Sequence, residues 1–191
     1  MTEQKPLFVD LDGTLIDKDL SNLAFWDSLK KRPILTLVYV FLFIFYGKSF
    51  LKEKISKDYK VPFDQIKFNK SCLDFIRNVI NHHRAVYLIS GSHQELVDQI
   101  SLKLNIFLEA FGTKKRFNMV GENKVQFITK ELKFIDFEYI GNSKKDLPIW
   151  LYTKGIIYTN VNQNLLKKIM ASSLSKTHIE NNFISFPYLY E

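Results

Sequence analysis

The order of elements along the chain predicts an α/β fold, a doubly wound parallel sheet that carries a small helical insertion. Three observations predict it. Short apolar runs end in tight turns at Asp12-Gly13, Ser90-Gly91 and Gly141-Asn142, where strands would stop. Segments of helical length alternate with these runs, and that alternation implies a parallel sheet. Between the first and second runs lies a long stretch without strand pattern. Residues 18–69 are therefore read as a helical insertion into a core formed by 1–17 and 70–191.

The first strand is expected over Pro6–Leu11, apolar and bounded by Pro and Gly. Side chains two apart in a strand share a side, which puts Asp10 and Asp12 together with Cα atoms about 6–7 Å apart. Two carboxylates at the end of an apolar strand are costly to desolvate unless a cation sits between them. A hard divalent ion such as Mg²⁺, which takes oxygen ligands and works with phosphates, suits that place. Gly13 lets the chain turn away, and Thr14 adds a hydroxyl. The plainer reading is an Asx turn, which Asp-Gly also supplies.

The segment from Ser21 to Tyr59 reads as helical, with Ser21 as N-cap and Pro33 opening a second helix. Ile34–Tyr46 is almost wholly apolar. As a helix it would span about 20 Å, short of a hydrocarbon core of about 30 Å. Two readings stand: the packed centre of a small helical domain, which is the expectation, or a segment dipping into a membrane interface. Ser71–Asn81 is amphipathic, and His82 and His83 end it. Ala85–Ile89 is a second buried strand, followed by Ser90-Gly91 and by Ser92–Glu95, which reads as a capping box. A strand, a hydroxyl, Gly91 and a helix N-terminus together make an anion site.

Further strands are expected at Phe107–Phe111, Phe137–Ile140 and Gly155–Thr159, with helices at Gly121–Leu132 and Asn162–Ser172. In such sheets ligands sit beyond the carboxyl ends of the strands, where Asp10, Asp12 and Ser90 fall.

The run Asp10-Leu11-Asp12-Gly13-Thr14-Leu15 after an apolar strand resembles motif I of the haloacid dehalogenase-like superfamily. The resemblance implies a Rossmannoid core with a helical C1-type cap. It also implies that Asp10 is the nucleophile, forming an aspartyl-phosphate, and that Asp12 is the general acid and base. Ser90 and Gly91 resemble motif II, where they and Thr14 would hold the phosphoryl group. Tyr139–Pro148 resembles motif IV with a departure: Asn142 stands where an Asp is usual, so metal affinity should fall. Asn142 would complete a Mg²⁺ site with Asp10 and Asp12. Asp146 would hold a water beside the metal or orient the lysine of motif III.

That lysine is the second departure. Val120-Gly121 replaces the usual Lys-Gly step, with Lys124 one turn further on. Lys124 either reaches the phosphate or is a solvated surface lysine. Phe137–Trp150 and Arg32-Pro33 are also similar to the soluble domain fused ahead of bacterial membrane prenyltransferases.

Composition bounds the rest. A chain of 191 residues, 46% hydrophobic and 15% aromatic, can fold around one good core. Its single cysteine, Cys72, excludes an internal disulfide and suits the cytoplasm. The polar N-terminus does not read as a signal peptide. Between Lys30 and Lys70 stand ten basic residues against three acidic ones, a surplus equal to the whole net charge of +7. That surplus points to an anionic partner, a phosphorylated substrate or an anionic membrane surface met through 30–60. No nucleic-acid motif is present. The expected activity is a Mg²⁺-dependent phosphomonoesterase acting on a small phosphorylated metabolite or a phosphotyrosyl protein. The alternative is a weakened module that binds phosphate or docks on a membrane, motivated by Val120 and Asn142.

Overall fold

The computed structural model describes residues 5–153, 155–174 and 183–186. Six strands form one sheet: β1 (Leu7–Val9), β2 (Val86–His93), β3 (Glu109–Thr113), β4 (Glu138–Gly141), β5 (Ile156–Thr159) and β6 (Phe183–Phe186). They run parallel throughout, in the order β3-β2-β1-β4-β5-β6. The chain order reverses direction at β1, between β2 and β4. This is the doubly wound α/β arrangement expected from the sequence, and its ligand crevice lies beyond the carboxyl end of β1.

Leu7 and Val9 pack into the apolar layer on one face of the sheet, and Phe8 into the layer on the other. Burial on both faces explains why β1 reads as a continuous apolar run. The many phenylalanines have a use here. Phe8 stacks on Tyr87 with ring centroids 4.9 Å apart and meets Phe134 and Phe137 edge-on. Phe111 and Phe127 continue the cluster at 5.0 Å.

The helices are α1 (Leu20–Lys31), α2 (Pro33–Ser56), α3 (Lys70–Asn81), α4 (Gln94–Leu104), α5 (Glu122–Gln126), α6 (Leu147–Trp150) and α7 (Gln163–Leu174). Helix α5 runs on through a wider π turn at Phe127–Glu131. The α1–α2 hairpin leaves and rejoins the core at one spot. Asp17 N–H donates to Lys67 O, Lys67 N–H to Asp17 Oδ1, and Asn69 N–H to Leu15 O. Leu20, Ala24, Ile55 and Tyr59 of the insertion share the main apolar layer with Leu7 and Val9, so the hairpin is packed onto the sheet.

Four sequence expectations need correction. The first strand ends at Val9, not Leu11, because the chain coils around the Leu11 carbonyl, which accepts from the Thr14, Leu15 and Ile16 N–H groups. The N-cap of α1 is Asp19, whose carboxylate accepts from Asn22 N–H at 2.9 Å; Ser21 lies inside the helix. Ser92–Glu95 forms no capping box, since β2 continues to His93 and the Ser92 hydroxyl turns elsewhere. The apolar run Ile34–Tyr46 is not a packed centre. Ile34, Phe41, Ile44 and Phe45 are between 61% and 80% exposed. Pro33 does open α2, as expected.

Candidate active site

Asp10 follows β1, its N–H still donating to Ile140 O at 2.9 Å. Asp10 and Asp12 meet at one crevice by way of the turn rather than by strand alternation. The turn needs Gly13: its φ is +76°, and a Cβ there would collide with the Asn142 side-chain amide. A cavity of about 180 Å³ opens at this point, lined by Asp10, Asp12, Lys52, Gly91, Ser92, Lys124, Asn142 and Asp146 among others.

Both oxygens of Asp10 are held. Thr14 Oγ1 donates to Oδ2 at 3.0 Å, and Lys124 Nζ donates to Oδ1 at 2.5 Å. Lys124 is 3% exposed, which discards the surface-lysine reading. Helix α5 begins one step after Gly121, so a lysine two residues inside it points at β1 rather than outward. Its ammonium also donates to Tyr139 Oη at 2.7 Å and lies 3.8 Å from Asp146 Oδ1. Tyr139 in turn donates to Asp146 Oδ1 at 2.6 Å. Asp146 Oδ2 accepts from Ser143 N–H and Oγ, both at 2.9 Å, and from Asn142 N–H at 3.2 Å. Asp146 thus fixes the loop carrying Asn142 and steers the lysine through a phenol.

Asp12 is tied to two elements by three hydrogen bonds. Its Oδ1 accepts Leu20 N–H at 2.8 Å from the start of α1. Its Oδ2 accepts Ser90 Oγ at 2.7 Å and Ser92 Oγ at 2.9 Å from β2. Ser21 Oγ stands 3.1 Å from Ser92 Oγ. Ser90 is fully buried, and its Oγ also accepts Ser92 N–H. Lys52 reaches down from α2, donating to Gly91 O at 2.5 Å and Asn118 Oδ1 at 2.7 Å.

Electrostatics follow from burial. Desolvation pushes the Asp10 carboxyl up; Lys124 opposes the rise and Asp146 and Asp12 add to it, leaving a pKa of about 7. Asp12 is raised by burial and by Asp19, against its Leu20, Ser90 and Ser92 hydrogen bonds. Burial lowers Lys52 to about 8, partly offset by Asp12. The Tyr139 phenol is held well above its usual range by burial, then by Asp146 and Asp10, and stays neutral.

The sequence reading brought Asp10, Asp12, Thr14, Ser90, Gly91, Lys124, Asn142 and Asp146 to this region, and the fold does gather them there. Ser21, Lys52, Ser92 and Tyr139 escaped it as site residues. In the sequence Ser21 and Ser92 read as caps, and Lys52 is one lysine among many in a basic insertion. Tyr139 carried no signal beyond its place two residues before Gly141.

Among the described residues no cluster of three or more His, Cys, Asp or Glu side chains is disposed to hold a metal. The oxygen set Asp10, Asp12 and Asn142 nevertheless lines one cavity and suits a hard cation. Burial is the main cause of the raised Asp10 pKa, and a divalent ion beside the carboxylate would favour its charged form. The residues therefore fit Mg²⁺, with two carboxylates where three would bind more tightly.

No protein-family model matches the chain. An uncharacterized protein of Sinorhizobium fredii is 31% identical over 152 residues, 80% of this chain, and the chain spans only 29% of that protein's length. A haloacid dehalogenase-like family hydrolase from Streptococcus pneumoniae superposes with a TM-score of 0.60 at 13% identity, covering 97% of this chain and 95% of that one. A phospho-aspartyl intermediate analogue of phosphoserine phosphatase gives a TM-score of 0.56 at 15% identity, covering 96% and 94%. The architecture is shared almost end to end although few residues are identical. The chain has the haloacid dehalogenase-like fold.

Proposed function

We propose that the chain is a Mg²⁺-dependent phosphomonoesterase working through an aspartyl-phosphate on Asp10. The observation that carries this reading is the buried pairing of Asp10 with Lys124 and Thr14 beside Asp12 in one crevice. The phosphoserine phosphatase that shares the fold has been captured as a phospho-aspartyl analogue, and that supports the same chemistry here.

Asp10 Oδ attacks phosphorus as the bond to the leaving oxygen breaks, and the proton on Asp12 passes to that oxygen. Burial raises the Asp12 pKa, which favours the protonated form that gives up this proton. Asp12, now ionised, takes a proton from water, whose oxygen attacks phosphorus. The bond to Asp10 then breaks and frees phosphate. Lys124 and Lys52 face the crevice from opposite elements, α5 and α2, and offset the developing charge on the phosphoryl oxygens. Mg²⁺, held by Asp10, Asp12 and Asn142, would neutralise the substrate's charge as the nucleophile approaches.

The substrate is a phosphomonoester of a small metabolite or an exposed phosphotyrosine. Hydrolysis of p-nitrophenyl phosphate tests the reading: turnover is expected with Mg²⁺ and its loss with EDTA. Absence of turnover at any Mg²⁺ concentration overturns it in favour of a non-catalytic phosphate-binding module, the reading that Asn142 favours.

Metal binding has a readout besides activity. Asp10 titrates near 7 in the fold against 3.8 as an ordinary carboxyl, so the folded state binds its proton more tightly. Stability from this group is present at low pH and lost as pH rises from about 4 through about 7. Mg²⁺ should offset that loss, raising the Tm more at about pH 8 than at about pH 5 by scanning fluorimetry. An equal shift at both pH values would place the ion away from Asp10.

A further inference from the structure

The first half of α2 is apolar almost all the way round, yet among the described residues only one side of it is covered. Thr36 is buried against α1, its hydroxyl 2.7 Å from Ser28 Oγ. The opposite side shows Ile34, Leu37, Phe41, Ile44 and Phe45, each more than 60% exposed. Their spacing of three and four residues makes one continuous stripe along the helix. A helix without a polar face is ordinarily buried, and among the described residues nothing covers this stripe, so it calls for an occupant.

Charge decides which occupant. Exposed Lys30, Lys31 and Arg32 stand at one end of the stripe. They outnumber Asp27 and Asp58, which lie 3.0 Å from Lys31 and 3.9 Å from Arg32. Lys48 stands just beyond the other end. Lys115 and Arg116, from the turn after β3, share a cavity with Phe45 and Tyr46 at that second end. The stripe is thus an apolar strip with cations at both ends, and Trp26 lies exposed on neighbouring α1. A second copy of the chain would bring these cations against their like. Anionic headgroups would pair with them while the acyl boundary takes the apolar side chains.

Geometry sets the depth. By length and composition the 24-residue α2 could cross a bilayer, but Gly47 breaks it with φ +79° and ψ −179°. The straight part, Pro33–Tyr46, is about 21 Å long against a hydrocarbon core of about 30 Å. It also packs sideways on α1, which fits lying in the interface rather than crossing it. We propose that the outward face of α2 docks the protein onto an anionic membrane surface, with the stripe from Ile34 to Phe45 inserted at headgroup level.

The full chain is mixed with phosphatidylcholine vesicles, with and without about one-third phosphatidylglycerol, and sedimented at low salt. Binding is expected to the anionic vesicles and to weaken with salt. The double variant Phe41→Ser/Ile44→Ser should lower the partition coefficient by about tenfold or more. Its Tm and aryl-phosphate turnover should stay unchanged, because both side chains are exposed and remote from the crevice. Asp10→Asn should bind vesicles like the wild type, so failure of the catalytic reading leaves this test intact. Three results would overturn the proposal: no sedimentation with anionic vesicles at low salt, undiminished binding by the double variant, or a wild-type dimer that the double variant dissociates while vesicle binding is absent.

Discussion

Asp10→Asn is expected to lower kcat for p-nitrophenyl phosphate by at least about 10³-fold while the protein remains folded. The amide keeps the shape of the carboxylate, so its oxygen can still face Lys124 Nζ and its NH₂ can donate to Thr14 Oγ1. It cannot form the acyl phosphate, and the other carboxylates that line the crevice are engaged elsewhere, Asp19 in capping α1. Asp12 is held by the Leu20 N–H and by the Ser90 and Ser92 hydroxyls, and Asp146 by the Asn142–Ser143 loop and Tyr139. The same substitution removes a carboxyl whose pKa burial has raised to about 7. The Tm of the variant should therefore lose the decline between about pH 4 and 7 that Asp10 gives the wild type. Acid-quench trapping of labelled phosphate on the wild type, and none on the variant, completes the test. A variant that retains its turnover would refute Asp10 as nucleophile.

The parts of this site that were legible in the sequence are those fixed by local geometry. An apolar strand followed by Asp-Leu-Asp-Gly-Thr specifies a turn at the carboxyl end of the sheet whatever the rest of the chain does. The side chains that escaped notice are defined by elements far apart in sequence. Ser92 follows a strand in the manner of a cap, and only the bulged pairing of β2 with β3 turns its hydroxyl to Asp12. Lys52 is chemically no different from its neighbouring lysines until the α1–α2 hairpin folds over Gly91. The misreading of Ile34–Tyr46 has the same origin. Composition tells how apolar a helix is, but whether a partner helix exists to cover both sides depends on the packing of the insertion. Among the described residues α1 covers one side alone. Asp10 and Asp12 come together through the turn around Leu11 O and not, as strand alternation implies, through the pleat.

Lys124→Met is expected to cost about 10²–10³-fold in kcat, the loss typical of removing one preorganised positive group from a transition state. Its value as a test lies in a second effect. Lys124 is the main charge opposing the rise of the Asp10 pKa, while Asp146 and Asp12 push it upward. Without the ammonium, Asp10 should hold its proton to higher pH, and the acid limb of the kcat/KM profile should move up. Methionine fills the space left by the lysine stem, so Tyr139 can still donate to Asp146 and the Asn142 loop stays in place. A fall in kcat with an unmoved acid limb would mean that Lys124 does not set the ionisation of the nucleophile, contrary to the 2.5 Å contact. A moved limb with near-normal kcat at high pH would mean that it only tunes Asp10, leaving Lys52 to meet the phosphoryl oxygens. Both effects together are expected, because one buried ammonium touching the nucleophile cannot stabilise the incoming phosphoryl group without also biasing the carboxylate that attacks it.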